Sequence, residues 1–449
     1  MVLKRSKVRR THPETHQSVT AELRPAHPLT APLRPLASFI LHASLPATLL
    51  LGASAAFAGP QGGQVVGGTG TITKPNSTTT VINQATKHLV VDWTSFNVKQ
   101  NELVNFKQPS VSASALNHIF DQNPSQIFGT IRANGQVILV NPNGVFFGPT
   151  AKVSVGSLVA SGLGVNKDDF LATGKLNFEA APGQEGGLVV NQGLIEAATG
   201  GSVTLVGGAV QNEGVILATA GQVTLAAGRK ATMDFDGDGL IQFVVEEEVL
   251  ENAYGLDDAV SNSGEIQADG GMVLMTGKAA QNVFTNVVNN EGVIRAGRID
   301  NVGGVIKLIA NGTGNSLINT GTLDVSGDGG DGGRIRIEST GTTLVAGDSI
   351  IDASSDSGHG GRVKILGDLV GVLDVATVAA SGATGGGTIL VGGDYQGSNP
   401  NIQNASATYV GPDTTIKADA ITDGDGGRVI VWADDATRVH GSISVRGGS

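Results

Sequence analysis

The sequence contains no cysteine, few aromatic residues (4%), few charged residues (15%) and no apolar run long enough for a transmembrane helix. Each shortage closes a class. Without sulfur there is no disulfide scaffold, no Cys-ligated zinc or iron-sulfur centre and no thiol nucleophile. A net charge of -11 argues against nucleic acid as a partner, because little basic surface is left to neutralise phosphates. What the chain has in excess is glycine, 66 of 449 residues, about twice the usual share. Hydrophobic residues make up 40% and are spread evenly, so the glycine punctuates a regular structure with a core of its own.

Charge is unevenly placed. Residues 1–58 hold seven basic and two acidic side chains, so this stretch is +5 and the remainder is -16. The basic, Pro-rich head is followed by an apolar run from Leu45 to Phe57, and Ala56-Phe57-Ala58 supplies the small-x-small pattern that a signal peptidase reads. Residues 1–58 are therefore expected to be a signal peptide for the Sec machinery, with cleavage after Ala58 leaving Gly59 first. The basic head is unusually long, which leaves the true start codon open, and the export reading holds for either start.

From residue 59 onward, short β-branched runs alternate with Gly, Asn and Asp, and almost no 3.6-residue periodicity is present. The runs recur. Asn-x-Gly-x-Ile/Leu begins at Asn191, Asn212, Asn262, Asn290 and Asn319, at steps of 21, 50, 28 and 29 residues. Between them stand Gly-x-Val-x-Leu strands such as Gly201–Leu205 and Gly221–Leu225. A second repeat, Gly-Gly followed by a strand, takes over at Gly332, Gly360, Gly386 and Gly426. Units this small cannot bury their own apolar side and must stack. An all-β solenoid, a parallel β-helix, follows, in which Asn at a turn tolerates the left-handed conformation and ladders with Asn above and below. A leucine-rich repeat lacks its Leu framework here, and a propeller would want more Trp than Trp93 and Trp432.

Two stretches break the rhythm. Residues 59 to about 180 carry larger side chains (Trp93, Phe96, Phe106, Phe120, Phe128, Phe146, Phe147), as expected of an N-terminal β cap. Residues 231–260 read as an inserted segment outside the helix. Within it, Asp234-Phe235-Asp236-Gly237-Asp238-Gly239 matches half of a calcium loop, but Val245 stands where a closing Glu is needed, so a plain Asp/Gly turn is the simpler reading. His88, His118, His359 and His440 are far apart, lack catalytic or zinc spacing and read as solvated or turn histidines. The recurring Asp324, Asp328, Asp331, Asp352 and Asp425 sit beside Gly and read as backbone-fixing turn residues. Arg334, Arg362 and Arg428 form a candidate outward stripe. No catalytic residue, metal site or cofactor is assigned. A secreted polysaccharide lyase or hydrolase is the alternative, since such enzymes use carboxylates or bases across adjacent rungs.

The most specific segment runs from Asn123 to Gly148, NPSQIFGTIRANGQVILVNPNGVFFG. An apolar strand, Val137–Val140, leads into Asn141-Pro142-Asn143-Gly144, the residue order of a type I turn. These residues, with Val153–Ser161 after them, resemble the secretion domain of two-partner-secreted exoproteins of the filamentous haemagglutinin type. That family's motif is Asn-Pro-Asn-Gly-Ile, and here Asn141, Pro142, Asn143, Gly144 and Val145 take its place, with Val keeping the β-branch. The family's second motif, Asn-Pro-Asn-Leu, is missing from the domain; Asn399-Pro400-Asn401-Ile402 lies far downstream.

The resemblance implies a right-handed parallel β-helix with residues 59–310 as the secretion domain and 311–449 as the start of a Gly-rich shaft, which breaks off in mid-unit. It also implies Sec export, then passage through an outer-membrane barrel transporter with periplasmic recognition domains, to the medium or cell surface of a Gram-negative bacterium. An adhesin-like, non-enzymatic exoprotein meeting host or neighbouring-cell glycans or receptors is the implied role. Absence of Cys agrees, since a chain crossing a narrow pore unfolded cannot carry disulfides. The leader yields the first prediction: mass spectrometry of secreted protein finds Gly59 at the amino terminus, and an intact leader contradicts it.

Overall fold

The structure, a computed structural model, describes residues 59–449 except 236–240, 300–301 and 314–315. The signal-peptide expectation for residues 1–58 lies outside the described residues. The chain winds through three sheets of 13, 11 and 14 strands, here sheets 1, 2 and 3. One rung runs Gln136–Val140 in sheet 1, Val145–Phe147 in sheet 2 and Lys152–Val155 in sheet 3, then returns to sheet 1 as Ser157–Ser161. Ser157 pairs in parallel with Gln136 one rung earlier. The fold is thus the expected parallel β-helix. Its interior is a continuous column of Val, Ile, Leu and Ala, each large aliphatic side chain contributing about 1.5 to 3 kcal/mol on burial. Among the described residues no helix is long and apolar enough to cross a membrane.

The two repeats seen in the sequence are two corners of the same rung. Asn-x-Gly closes a sheet 2 strand, and Gly or Gly-Gly opens a sheet 1 strand. At both corners backbone rests directly on backbone. A Cβ on Gly221 would stand 1.8 Å from the Gly201 carbonyl oxygen, and one on Gly361 2.1 Å from that of Gly333. At the other corner a Cβ on Gly264 would meet the Gly214 oxygen at 2.1 Å. Beside this second glycine column the buried asparagines form a ladder. Asn191 donates to Asn212 at 2.8 Å, Asn212 to Asn262 at 2.7 Å, Asn262 to Asn290 at 2.8 Å and Asn290 to Asn319 at 2.7 Å. Ser349 ends the run by meeting the Asn319 amide at 2.6 Å. The expectation that these Asn adopt the left-handed conformation is corrected: neither they nor the glycines two residues later have a positive φ, because the corner needs glycine for close backbone approach and each Asn amide is spent on its neighbours.

The N-terminal cap is shorter than the sequence suggests. Antiparallel pairing in this region is confined to the Gln61–Ser95 bridge and the strands Gln64–Gly67 and Gly70–Asn76 with their partners, and parallel rungs begin at Thr79, which pairs with Leu103. The aromatic residues that seemed to mark a cap mostly fill the first rungs from inside: Trp93, Phe96, Phe106 and Phe147 are buried. Large rings occupy the interior where later rungs place the smaller aliphatic and Asn side chains.

The inserted segment is real but has two parts. Gly164–Val165 and Leu176–Glu179 join Lys230–Phe235 and Ile241–Glu247 in a separate antiparallel sheet. Of the calcium-like stretch, Asp234 and Phe235 end the strand Lys230–Phe235, and residues 236–240 lie outside the described residues. This sheet and helix α1 (Lys167–Thr173) cover the outer face of sheet 1 through Phe170, Leu176, Phe178 and Met233. Asn166 caps α1 by accepting from the Asp168 and Asp169 N–H groups at 2.9 and 3.2 Å. Under this cover, Ser202–Gly207 and Gln222–Ala227 are buried along their whole length. Beyond it, Arg334–Ser339 alternates exposed and buried residues, as one covered face and one open face require.

Two histidines lie beneath α1. His88 meets the Phe170 ring edge-on at 5.3 Å and bonds Ser114 Oγ at 2.8 Å. His118 stands 3.5 Å from Asp92, whose other oxygen takes Lys167 at 3.3 Å. The expectation of solvated or turn histidines is corrected for these two, which sit on strands under a cover.

Two predictions follow from this packing. Replacing Asn262 with Ala strands an Asn212 donor and an Asn290 acceptor in the interior and costs about 2 to 4 kcal/mol in denaturant titration, whereas Ser261→Ala on the outer face changes stability by less than about 0.5 kcal/mol. Equal effects would refute the ladder. Burial holds both histidines below their ordinary value, with Lys87 adding to the shift at His88 and Asp92 opposing it at His118. Their neutral forms therefore favour the folded state, a contribution complete above about pH 6.5 and lost as pH falls through the lowered values. Protection of the amides in residues 166–174, relative to their intrinsic exchange rates, falls on acidification toward pH 5, and His118→Gln removes part of that response.

Candidate functional site

The strand Gln136–Val140 ends at a corner made by Asn141-Pro142-Asn143-Gly144. Asn141 Oδ1 accepts the Asn143 N–H at 3.0 Å, and the Gly144 N–H donates to the Asn141 carbonyl at 2.8 Å. Pro142 fits the second turn position through its fixed φ. Gly144 has φ +110°, and a Cβ there would meet the Leu188 carbonyl oxygen at 2.5 Å. Glycine is required on both counts. The expected turn is present.

The corner also ties together three successive rungs. On one side, Asn141 Nδ2 donates to the Asn123 carbonyl and to Ser125 Oγ, both at 3.0 Å, and Asn143 Nδ2 donates to the Asp121 carbonyl at 2.7 Å. The Gly144 carbonyl accepts the Ser125 N–H at 3.0 Å. On the other side, the Asn141 N–H donates to the Ser161 carbonyl at 3.0 Å. Val145 is buried between Ser125 and Val189 in the sheet 2 register. Asn141 and Gly144 are buried, and only Pro142 and Asn143 are half-exposed. Sheet 2 starts here, with Ser125–Ile127 as its edge strand and Val145–Phe147 next.

The downstream Asn399-Pro400-Asn401-Ile402 builds the same local turn. Asn399 Oδ1 accepts the Asn401 N–H at 3.1 Å, and the Ile402 N–H donates to the Asn399 carbonyl at 3.1 Å. Its Asn399 amide, however, bonds Asp394 within its own loop at 2.8 Å. Ile402 packs on Leu366 and Leu390 outside sheet 1. No bond from this side chain reaches another rung.

Of the other predicted residues, Ala56 and Ala58 lie outside the described residues, while Gly59 is buried. Asp324 and Asp352 accept the N–H groups of Ser326 and Ser354 at 2.9 and 2.8 Å, and Asp331 accepts that of His359 at 2.9 Å. These carboxylates fix backbone, as expected. Among the described residues no three His, Asp or Glu are grouped closely enough to hold a metal. Arg334 and Arg362 stand in register, but Thr388 separates them from Arg428, which pairs with Asp394 at 3.3 Å. The stripe is therefore broken. A parallel column of Lys307, Arg336 and Lys364 runs beside it, and burial together with Arg336 and Arg362 pushes the Lys364 ammonium below its ordinary value. Sequence reasoning missed this second column, although Lys307, Arg336 and Lys364 each stand two residues beyond Val305, Arg334 and Arg362.

The secretion domain of HMW1 from Haemophilus influenzae has a similar structure, with a TM-score of 0.66 and 28% identity over 87% of this chain and 91% of that one. Two proteins named heme/hemopexin-binding protein from Haemophilus influenzae are similar in sequence. One, from strain Rd, is 33% identical over 257 residues, 56% of this chain and 27% of its own length. The other is 40% identical over 102 residues, 23% of this chain and 11% of its own length. The chain thus spans about a quarter or less of these relatives. Residues 56–325 match the TPS secretion domain family, and the chain belongs to that family, whose members are exoproteins of the two-partner secretion pathway.

Proposed function

We propose that residues 59–310 direct export of this chain, after Sec translocation, through a dedicated outer-membrane barrel partner with periplasmic recognition domains. In this reading the protein is a secreted or surface-exposed, adhesin-type exoprotein of a Gram-negative bacterium, and Asn141–Val145 is its secretion motif. The observation that carries the motif's role is burial. Asn141, Gly144 and Val145 are enclosed between rungs, so the motif acts chiefly by closing the corner from which sheet 2 grows, and only Pro142 and Asn143 offer surface to a partner. A chain emerging unfolded gains direction from rungs that template the next. A heme or hemopexin ligand is not part of the proposal, because the relatives that bear those names are matched over so small a share of their length.

The test measures mature protein in medium and periplasm with the barrel partner present and deleted. Asn141→Ala, which unpairs Asn123, Ser125 and Asn143, and Gly144→Ala, which strains the turn, leave precursor synthesis and leader removal intact but lower secreted protein severalfold. Pro142→Ala has little effect. Equal export of all variants, or secretion that persists without any barrel partner, overturns the reading. The same purified material releases no unsaturated or reducing ends from acidic polysaccharides, and turnover would restore the lyase alternative.

A further inference from the structure

Among the described residues, the carboxylate of Glu102 has no ion-pair partner. Glu102 is 4% exposed, and its Oε2 accepts two N–H groups, from Lys99 at 2.8 Å and from Gly59 at 2.9 Å. Buried carboxylates ordinarily have a charged partner, because amide donors offset only part of the lost hydration. One of the two donors is the backbone nitrogen that leader removal after Ala58 turns into a primary ammonium.

We propose that Glu102 is the receptor for the amino terminus created by leader cleavage, so that processing completes a buried ion pair and locks the first rung. This rests on the cleavage expected after Ala58. The surroundings are built to hold the terminus in place. Gly59 and Pro60 are buried. Gln61 Nε2 donates to the Gly59 carbonyl at 2.8 Å, and Lys74 Nζ donates to the Pro60 carbonyl at 3.0 Å. A Cβ on Gly59 would approach Thr80 Oγ1 at 3.1 Å, so a leading residue without a side chain fits the site most closely. Immediately afterward Gln61 bridges Ser95 and the antiparallel cap begins. Glu102 itself holds the next rung through its carbonyl, which accepts the Thr130 N–H at 2.8 Å.

An uncleaved chain offers only a neutral amide to Glu102. A cleaved one offers a charged donor, and charge-assisted bonds are roughly twice as strong as neutral ones. The cap is therefore less stable in the precursor, which suits Sec translocation, and firmer once the leader has been removed. Among the described residues, the Glu102 carboxylate is in direct contact with the Gly59 nitrogen and the Lys74 ammonium stands beyond Pro60. The nearer carboxylate dominates and raises the amine above the usual range of about 7.7 to 8.0. The stabilisation is complete below that range and fades as pH rises through the raised value.

The test compares two forms of the chain, one released by a protease so that Gly59 is first and one with its Gly59 amine acetylated, each with Glu102 and with Glu102→Gln. In the free-amine form Glu102→Gln lowers the melting temperature by several degrees and abolishes the alkaline loss of stability. In the acetylated form it changes the midpoint little. An NMR titration of the Gly59 amine finds its pKa raised in the Glu102 protein and ordinary in the Gln variant. Equal destabilisation in both forms, or an ordinary amine pKa beside Glu102, overturns the proposal. Should Glu102→Gln fail to fold, the acetylated and free chains with Glu102 intact still answer, since identical melting curves contradict it. Intact mass of secreted protein separately reports the cleavage site, so a different natural terminus would refute the cleavage reading without touching the measured pair.

Discussion

Backbone resting on backbone at the corners is the constraint on which the rest of the stack depends. Rungs repeat at the interstrand spacing of about 4.8 Å, and at two corners the chain turns so sharply that one peptide lies over the previous one. Any Cβ at Gly221, Gly264 or Gly361 would sit inside a neighbouring carbonyl. Glycine is therefore a matter of volume at these positions. Packing backbones this closely removes water from the corner, so the polar groups there need partners within the stack. The Asn191 to Asn319 ladder supplies them, each amide donating to the next side chain while its rung mates satisfy the peptide groups. Interior polarity and interior glycine are thus two consequences of one geometry.

The outside of the helix is set by what covers it. Where the antiparallel sheet and α1 lie over sheet 1, both faces of strands such as Ser202–Gly207 are buried. Past the cover, the same sheet carries Lys307, Arg336 and Lys364 in one column and Arg334 beside Arg362 in another. Like charges placed directly opposite one another are unfavourable, and among the described residues only Arg336 of these is answered by an ion pair, with Glu338. Such a face resists pairing with other sheets. The chain's overall acidity therefore hides a local cationic surface, and composition alone misjudges it.

The rung period and the Asn-x-Gly corner were legible because they are local: one residue of the wrong size at Gly214 or Gly264 would fail, so the pattern recurs in the text. The rest depended on distant pairings. The short helix and the strand Leu176–Glu179 were invisible because they gain meaning only from a hairpin more than fifty residues later. Trp93, Phe96 and Phe106 looked like cap residues because they break the aliphatic rhythm, yet an interior can accept rings in rungs that have no Asn ladder to accommodate. The Asn and Gly-Gly repeats looked successive because Val345 takes the Asn position in the rung after Asn319, with Ser349 Oγ accepting the last amide, while the corner continues.

Asn141 shows why a motif is more than its turn. The four residues beginning at Asn399 make the same Asx bond and the same closing bond to the carbonyl, so the tetrapeptide encodes the turn by itself. What distinguishes the first copy lies outside it: Asn123 and Ser125 before, Ser161 and Leu188 after. Removing the Asn141 amide there unpairs groups on neighbouring rungs, whereas at Asn399 it unpairs only its own loop. The consequence for a chain without disulfides is directional. Covalent staples would fix distant rungs at once, but here the first rungs are joined by hydrogen bonds that form only when each new strand has reached its predecessor. The corner at Asn141 binds both the rung before and the rung after at the point where sheet 2 joins sheets 1 and 3, which are already under way from Gln64 and Gly70.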